Sequence, residues 1–221
     1  MTKPRGLASG AVLWVAAILG FAIVMTASPP AALAQTADPG QFVQDLGNKA
    51  IAQLAGTEIP ESEEQSRFRT LLMQYFDLNA IGKFTVGRAY WASATPAQKK
   101  EFLQLYATQV TSAYARRFRD YSGEQFTVTG QNREGDSDTL VDSQITRPTG
   151  GNPVPVQWRV RAENGSLKIA DVVIAGISMA VTDRQQFSAV IERGGGSIQA
   201  LIEALKNQNL NVAEPPAGTR G

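Results

Sequence analysis

The chain has 221 residues, 43% hydrophobic and 19% charged, with 21 basic against 20 acidic side chains and neither cysteine nor histidine. That size fits one ordinary domain, and the composition excludes a collagen-like or wholly disordered chain. Without Cys there are no disulfides, thiolate metal sites or thiol nucleophiles; without His the commonest general base and metal ligand is gone. Carboxylates, Lys, Tyr and Ser remain, a thin kit that favours binding over catalysis.

Lys3 and Arg5 precede an uncharged apolar run from Ala11 to Met25, broken at Ser28-Pro29-Pro30. Ala32-Leu33-Ala34 then matches the small-x-small pattern of a signal peptidase site, so residues 1–34 are expected to be an export leader cleaved before Gln35. The apolar run of 15 residues falls short of the ~20 a spanning helix needs. Loss of Lys3 and Arg5 leaves 19 basic against 20 acidic residues, a balance that argues against nucleic acid as a partner. Export without cysteine points to a bacterial periplasm.

The first half of the remaining chain reads as helix. Asp38-Pro39 forms a cap and first turn for a helix carrying Phe42, Leu46, Ala50 and Leu54, with Gly56 as its stop. A second helix starts near Pro60, acidic in its first turn, with Phe68, Leu71, Leu72 and Tyr75 on one face. Asp77 is placed to cap a short helix bearing Leu78, Ile81 and Phe84. Thr95-Pro96-Ala97-Gln98 has the form of a capping box. The helix it opens carries Phe102, Leu105, Tyr106, Val110, Tyr114 and Phe118 on one stripe and is expected to end at Gly123.

Beyond Gly123 the period switches to two. Phe126 and Val128 mark a first strand, Gly135-Asp136 a turn, and Val141 and Ile145 a second strand. Val154, Val156, Trp158 and Val160 alternate with polar residues or proline, and Asn164-Gly165 turns that strand into Leu167–Ile174 as a hairpin. Asp183 is placed to cap a helix holding Phe187, Val190 and Ile191; Gly194-Gly195-Gly196 breaks it before a last helix with Ile198, Leu201, Ile202 and Leu205. Residues 209–221, rich in Pro and Gly, read as a disordered tail. The expectation is one α+β domain over 35–208: a four-stranded antiparallel meander with flanking helices.

Few constellations carry chemistry. The triple glycine lacks the Lys-Ser/Thr of a phosphate loop and follows a helix. Asp136, Asp138 and Asp142 miss the spacing of a calcium loop and read as turn and strand-edge residues. Asp171, inside a strand beside Ile169 and Val173, is open to two readings: a general base on a cleft-lining sheet, or a structural acid bonded to nearby backbone or to an Arg. No metal site and no cofactor is expected. The large side chains Phe84, Tyr90, Trp91, Phe102, Tyr106, Tyr114, Phe118, Phe126 and Trp158 are either an ordinary core or, collectively, the wall of a cavity between long helix and sheet.

The run Val86-Gly87-Arg88-Ala89-Tyr90-Trp91, followed by Ala94-Thr95-Pro96-Ala97-Gln98, resembles the MlaC or toluene-tolerance family. Asp171-Val172-Val173-Ile174-Ala175-Gly176-Ile177-Ser178-Met179, then Thr182, Arg184, Gln186, Phe187, Gly195 and Leu201, and the Phe76-Asp77-Leu78 run, extend the match in order and spacing. The resemblance implies a periplasmic phospholipid carrier with a deep apolar pocket. It also implies transfer between an outer-membrane MlaA-type lipoprotein complex and an inner-membrane ABC transporter with an MCE-domain ring. A branch called HpnM, associated with hopanoid biosynthesis, shares these motifs and leaves hopanoid open as cargo. The family's usual acid before the motif glycine is here Ala175.

Pocket-lining roles are assigned on that basis to Leu78, Ile81, Phe84 and Tyr90, and on the long helix to Phe102, Leu105, Tyr106, Val110 and Tyr114. Phe126, Val128, Val141, Ile145, Val156, Trp158, Val160, Val172 and Ile174 follow on the sheet, then Ile177, Met179 and Phe187. The stripe of the long helix and the apolar sheet face are expected to confront each other. A tail carried through water costs ~0.8 kcal/mol per CH2 exposed, which an apolar cavity offsets without any catalytic group. The expected function is therefore a monomeric, non-enzymatic lipid carrier. An enzyme using Asp171 and an interaction protein with a filled core remain as alternatives.

Overall fold

The computed structural model describes residues 38–55, 59–118, 123–208 and 210–213, so the expected leader, the site before Gln35 and the stop at Gly56 lie outside the described residues. Helix α1 (Pro39–Leu54) starts where Asp38 Oδ1 accepts the Gln41 amide at 2.9 Å, with proline in the first turn. Helix α2 (Glu61–Tyr75) opens on Glu61, Glu63 and Glu64, the charge its N-terminal dipole favours. Asp77 caps α3 (Leu78–Val86) by taking the Ala80 amide at 2.9 Å. Gly87, at φ +88°, then turns the chain into α4 (Arg88–Ser93), a single short helix that periodicity does not resolve.

The long helix α5 (Pro96–Ala115) carries the full capping box: Thr95 Oγ1 accepts the Gln98 amide at 3.2 Å, and Gln98 Oε1 accepts the Thr95 amide at 3.0 Å. It stops at Ala115 and passes into a 3-10 turn over Arg116–Phe118, short of the expected end at Gly123.

Strands β1 (Gln125–Glu134), β2 (Asp138–Thr146), β3 (Val154–Glu163) and β4 (Ser166–Ile174) form the expected antiparallel meander. Asn164 and Gly165 both have positive φ, +50° and +77°, as a tight two-residue hairpin requires. The sheet has five strands, not four. Ala175 and Gly176, at φ +50° and +82°, fold β5 (Ile177–Ser178) back so that Ile177 faces Ile174. A strand of two residues leaves no period-two signal, which is why alternation misses it.

Helix α6 (Met179–Arg193) corrects a second expectation. Its cap is Ser178, whose Oγ accepts the Val181 amide at 3.1 Å; Asp183 lies one turn inside the helix, buried. Helix α7 (Ile198–Lys206) follows the glycine break. The tail expectation also changes: within residues 210–213, Val212 and Ala213 are buried, and Tyr114 Oη donates to the Ala213 carbonyl at 2.9 Å.

The inner sheet face is roofed by α1, where Val43 meets Val141 and Val160, with Phe126, Val128 and Trp158 around them. Close seating is possible because α1 carries Gly47: a Cβ there would stand 2.3 Å from the Phe126 ring. On the rim, Gln44 of α1 reaches the free edge of β1. Its Oε1 accepts the Val128 amide at 3.0 Å and its Nε2 donates to the Phe126 carbonyl at 3.4 Å. Leu46, Leu54, Leu71, Tyr75 and Ile169 join α1, α2 and β4 in a second cluster. A third unites α3, α5, α6 and α7 around Phe102, Phe187, Ile191, Leu201 and Ile202.

Candidate functional site

An open groove of about 650 Å³ runs between α2, the start of α3, α5 and the β3–β4 turn. Met73 and Phe76, from the end of α2 and just beyond it, Leu78 of α3, and Leu103 and Ala107 of α5 line it with apolar surface. Met73 is 55% exposed and stands on the open side of this floor. Arg69, Lys100 and Lys168 stand around this floor, with Asp77 and Glu163 as the opposing charges. Arg69 leans on Thr108 at 3.4 Å, and Lys168 Nζ donates to the Gln74 carbonyl at 2.5 Å. The groove thus combines an apolar floor with a margin of mixed charge, three cations against two carboxylates.

The sheet carboxylates serve structure. Asp171 Oδ1 accepts the Val172 and Ala180 amides at 2.8 and 3.1 Å, and Oδ2 accepts the Ser178 hydroxyl at 2.6 Å. Both oxygens tie β4 to the first turn of α6, which matches the structural reading of that acid. Asp138 takes Arg161 through both oxygens, at 2.8 and 2.9 Å, and this hydrogen bonding holds its carboxyl down at about 2. Asp183 is pushed the other way. Burial raises it to about 6 although it accepts the Tyr106 hydroxyl at 2.7 Å and the Ala213 amide. Among the described residues no three carboxylates converge as a metal site.

The residues assigned to a single pocket fall into separate places. Ile81, Phe102, Tyr106 and Phe187 are buried in the helical cluster, with Leu78, Tyr90, Leu105, Val110 and Tyr114 against it. Phe102 and Tyr106 stack at 5.7 Å and meet Phe187 edge-on at 5.9 Å, an interlocked aromatic core. Val141, Val160, Phe126, Val128 and Trp158 belong to the sheet cluster under α1, and Val172 packs against the cluster of α1, α2 and β4. Val156 and Met179 are buried, Ile145 and Ile174 half-buried, and Phe84 and Ile177 exposed.

The expected confrontation of the α5 stripe with the sheet is therefore corrected. Phe102 and Tyr106 face α3, α6 and α7, while α1 covers the sheet. Of the assigned residues, only Leu78 borders the groove; Met73, Phe76 and Leu103 were not assigned to it. Exposed Met73 on an otherwise polar side of α2 is the signal that points there.

Fold and groove together describe an α+β domain with an antiparallel sheet and an open, apolar-floored groove between helices and sheet. The family model described as MlaC protein matches residues 44–207, and the chain belongs to the MlaC family. It is 22% identical over 196 residues to the intermembrane phospholipid transport system binding protein MlaC of Haemophilus influenzae, covering 86% of this chain and 90% of that one. It is 21% identical over 185 residues to the toluene tolerance protein ttg2D of Pseudomonas putida, covering 82% and 86%. Among solved structures it is similar to a phospholipid-binding protein from Ralstonia solanacearum in complex with a phospholipid. That match has a TM-score of 0.70 at 21% identity and covers 78% of this chain and 97% of that one.

Proposed function

We propose that this protein is a periplasmic lipid carrier that takes up acyl chains and moves phospholipid between an outer-membrane MlaA-type lipoprotein complex and an inner-membrane MCE-domain ABC transporter. The observation that carries the reading is the family match across residues 44–207. The groove supports it, because a tail laid along Met73, Phe76, Leu78 and Leu103 leaves water while the headgroup stays at the charged margin. In this reading residues 1–34 are the export leader, the exported chain acts as a monomer, and no side chain does covalent chemistry. Asp171 has its oxygens committed to β4 and α6, which speaks for transport over an Asp171-based enzyme.

The test is what travels with the protein. Chain purified gently from the periplasm, with its N-terminus sequenced, should begin at Gln35 and return up to one diacyl lipid per chain on native mass spectrometry. Hopanoid in place of phospholipid would assign the cargo to the hopanoid branch. Protein that returns no lipid and refuses added lipid would overturn the carrier reading.

A further inference from the structure

Phe84, Ile177 and Val181 are large apolar side chains that stand 43%, 46% and 42% exposed. They come from the end of α3, from β5 and from the first turn of α6, and one side chain joins two of these elements. Arg184 Nη1 donates to the Phe84 carbonyl at 2.8 Å, and its guanidinium carbon lies 5.1 Å from the centre of the Phe84 ring. Its Nη2 runs beside Gly87, where a Cβ would meet it at 3.7 Å. Val181 precedes Arg184 by one helical turn, and Ile177, in β5, lies just before Ser178, the cap of that helix. Apolar tips and a guanidinium therefore share one corner of the molecule.

The charge of this corner is one-sided. Its exposed charges are Lys83, Arg88 and Arg184, while of the carboxylates there Asp183 is buried and Asp171 has its oxygens committed to the Val172 and Ala180 amides and the Ser178 hydroxyl. Lys83 and Arg88 are exposed, flank Phe84 and Gly87 in the chain, and form no ion pair among the described residues. The turn that delivers Ile177 is Ala175-Gly176, both exposed, and a Cβ on Gly176 would meet nothing within 4 Å. The corner therefore projects into solvent.

We propose that the α3–α6 corner is a membrane-docking face for an anionic bilayer surface. Ile177, Val181 and Phe84 enter the headgroup layer, while Lys83, Arg88 and Arg184 meet the lipid phosphates. Apolar tips flanked by cations are the composition of an interfacial anchor, and each cation adds to attraction for anionic lipid. A protein partner would call for a desolvated, shape-matched seat. A projecting turn with separate aliphatic tips suits a fluid surface better. This face is distinct from the groove, so the proposal goes beyond the carrier reading.

Flotation of the exported chain with vesicles of phosphatidylglycerol and phosphatidylcholine tests it, with phosphatidylcholine alone as the reference. The chain should float with the anionic vesicles, release as salt shortens the screening length, and ignore the neutral ones. Ile177→Glu with Val181→Glu should weaken binding by about tenfold or more while circular dichroism and melting stay as in wild type. Lys83→Glu should weaken it less, and only at low salt. Wild type that does not float, or a double variant that floats equally, overturns the proposal; so does binding confined to an acidic protein partner. Lipid extracted from the same preparations is read separately. A chain that holds lipid yet ignores vesicles sinks the docking face alone, and one that docks but holds none sinks the carrier reading alone.

Discussion

Asp183 sits inside a helix with no cation among its partners in the described residues, so its presence has to be explained by what it holds. It receives the Tyr106 hydroxyl from α5 and the Ala213 amide from the end of the described chain, pinning that segment to two helices. Burial sets its carboxyl near 6, against 3.8 unperturbed, and pushes the Tyr106 phenol well above its ordinary value. Between those pH values the native state holds a proton that the unfolded chain has lost. The stabilisation is therefore complete below 3.8 and disappears as pH rises through about 6, on the order of 2–3 kcal/mol. Asp138 acts in the opposite sense: its contribution is present above 3.8 and is lost as pH falls toward about 2. Thermal midpoints followed across pH should fall between 4 and 6 in wild type. Asp183→Asn keeps an acceptor for Ala213 and offers a donor to Tyr106, so it should remove that fall and melt higher than wild type at neutral pH. A slope that survives the substitution assigns the titration to another group.

At the scale of elements, how α1 seats on the sheet depends on the missing side chain of Gly47. Alanine there improves helix propensity by up to ~1 kcal/mol, yet overpacking a close contact costs ~1–3 kcal/mol. The Phe126 ring is held edge-on against Trp158 at 6.0 Å, so it has little freedom to yield and the second effect wins. Gly47→Ala should destabilise by roughly 1 kcal/mol, read in urea unfolding, and adding Phe126→Leu should return part of the loss. No local pattern marks that glycine, because its reason lies on a strand some 80 positions later. The elements that could be read beforehand had chemistry contained within a few residues: the Thr95–Gln98 capping box, the Asn164-Gly165 hairpin, the Asp77 cap. Those that could not were settled by partners elsewhere. Ser178 displaces Asp183 as cap of α6 because Asp171 reaches from β4 to hold the Ser178 hydroxyl and the Ala180 amide.

For the whole molecule, apolar periodicity identifies which sides are buried but not against which neighbour. The α5 stripe and the sheet face were both legible as apolar, and each proved buried, yet against different helices. The groove arises from four segments that meet only in the folded chain, which is why just Leu78 of its lining was foreseen. Two substitutions separate the compact core from the groove. Val141→Trp adds an indole where Val141 has no exposed surface, and it should lower stability by ~1–3 kcal/mol. Met73→Arg alters an exposed side chain of the groove floor, so melting should hold within about 0.5 kcal/mol while lipid recovered per chain drops. If Met73→Arg retains its lipid and only Val141→Trp loses it, the cargo lies beneath α1 rather than in the groove.

The side chain of Gln44 has a consequence for how such a molecule can open. Its amide satisfies one donor and one acceptor on the rim of β1, in the manner of a short stretch of a neighbouring strand. An uncovered strand rim is a template for a second chain. Helix α1 is thus a roof over the sheet and, at the same time, a bolt against self-pairing. Any movement that lifts α1 to let a larger guest beneath it also draws the bolt, so wider opening and head-on association of two copies are coupled through one residue. Expansion of the interior is safest where α1 stays down, on the side of α2, α3 and α5.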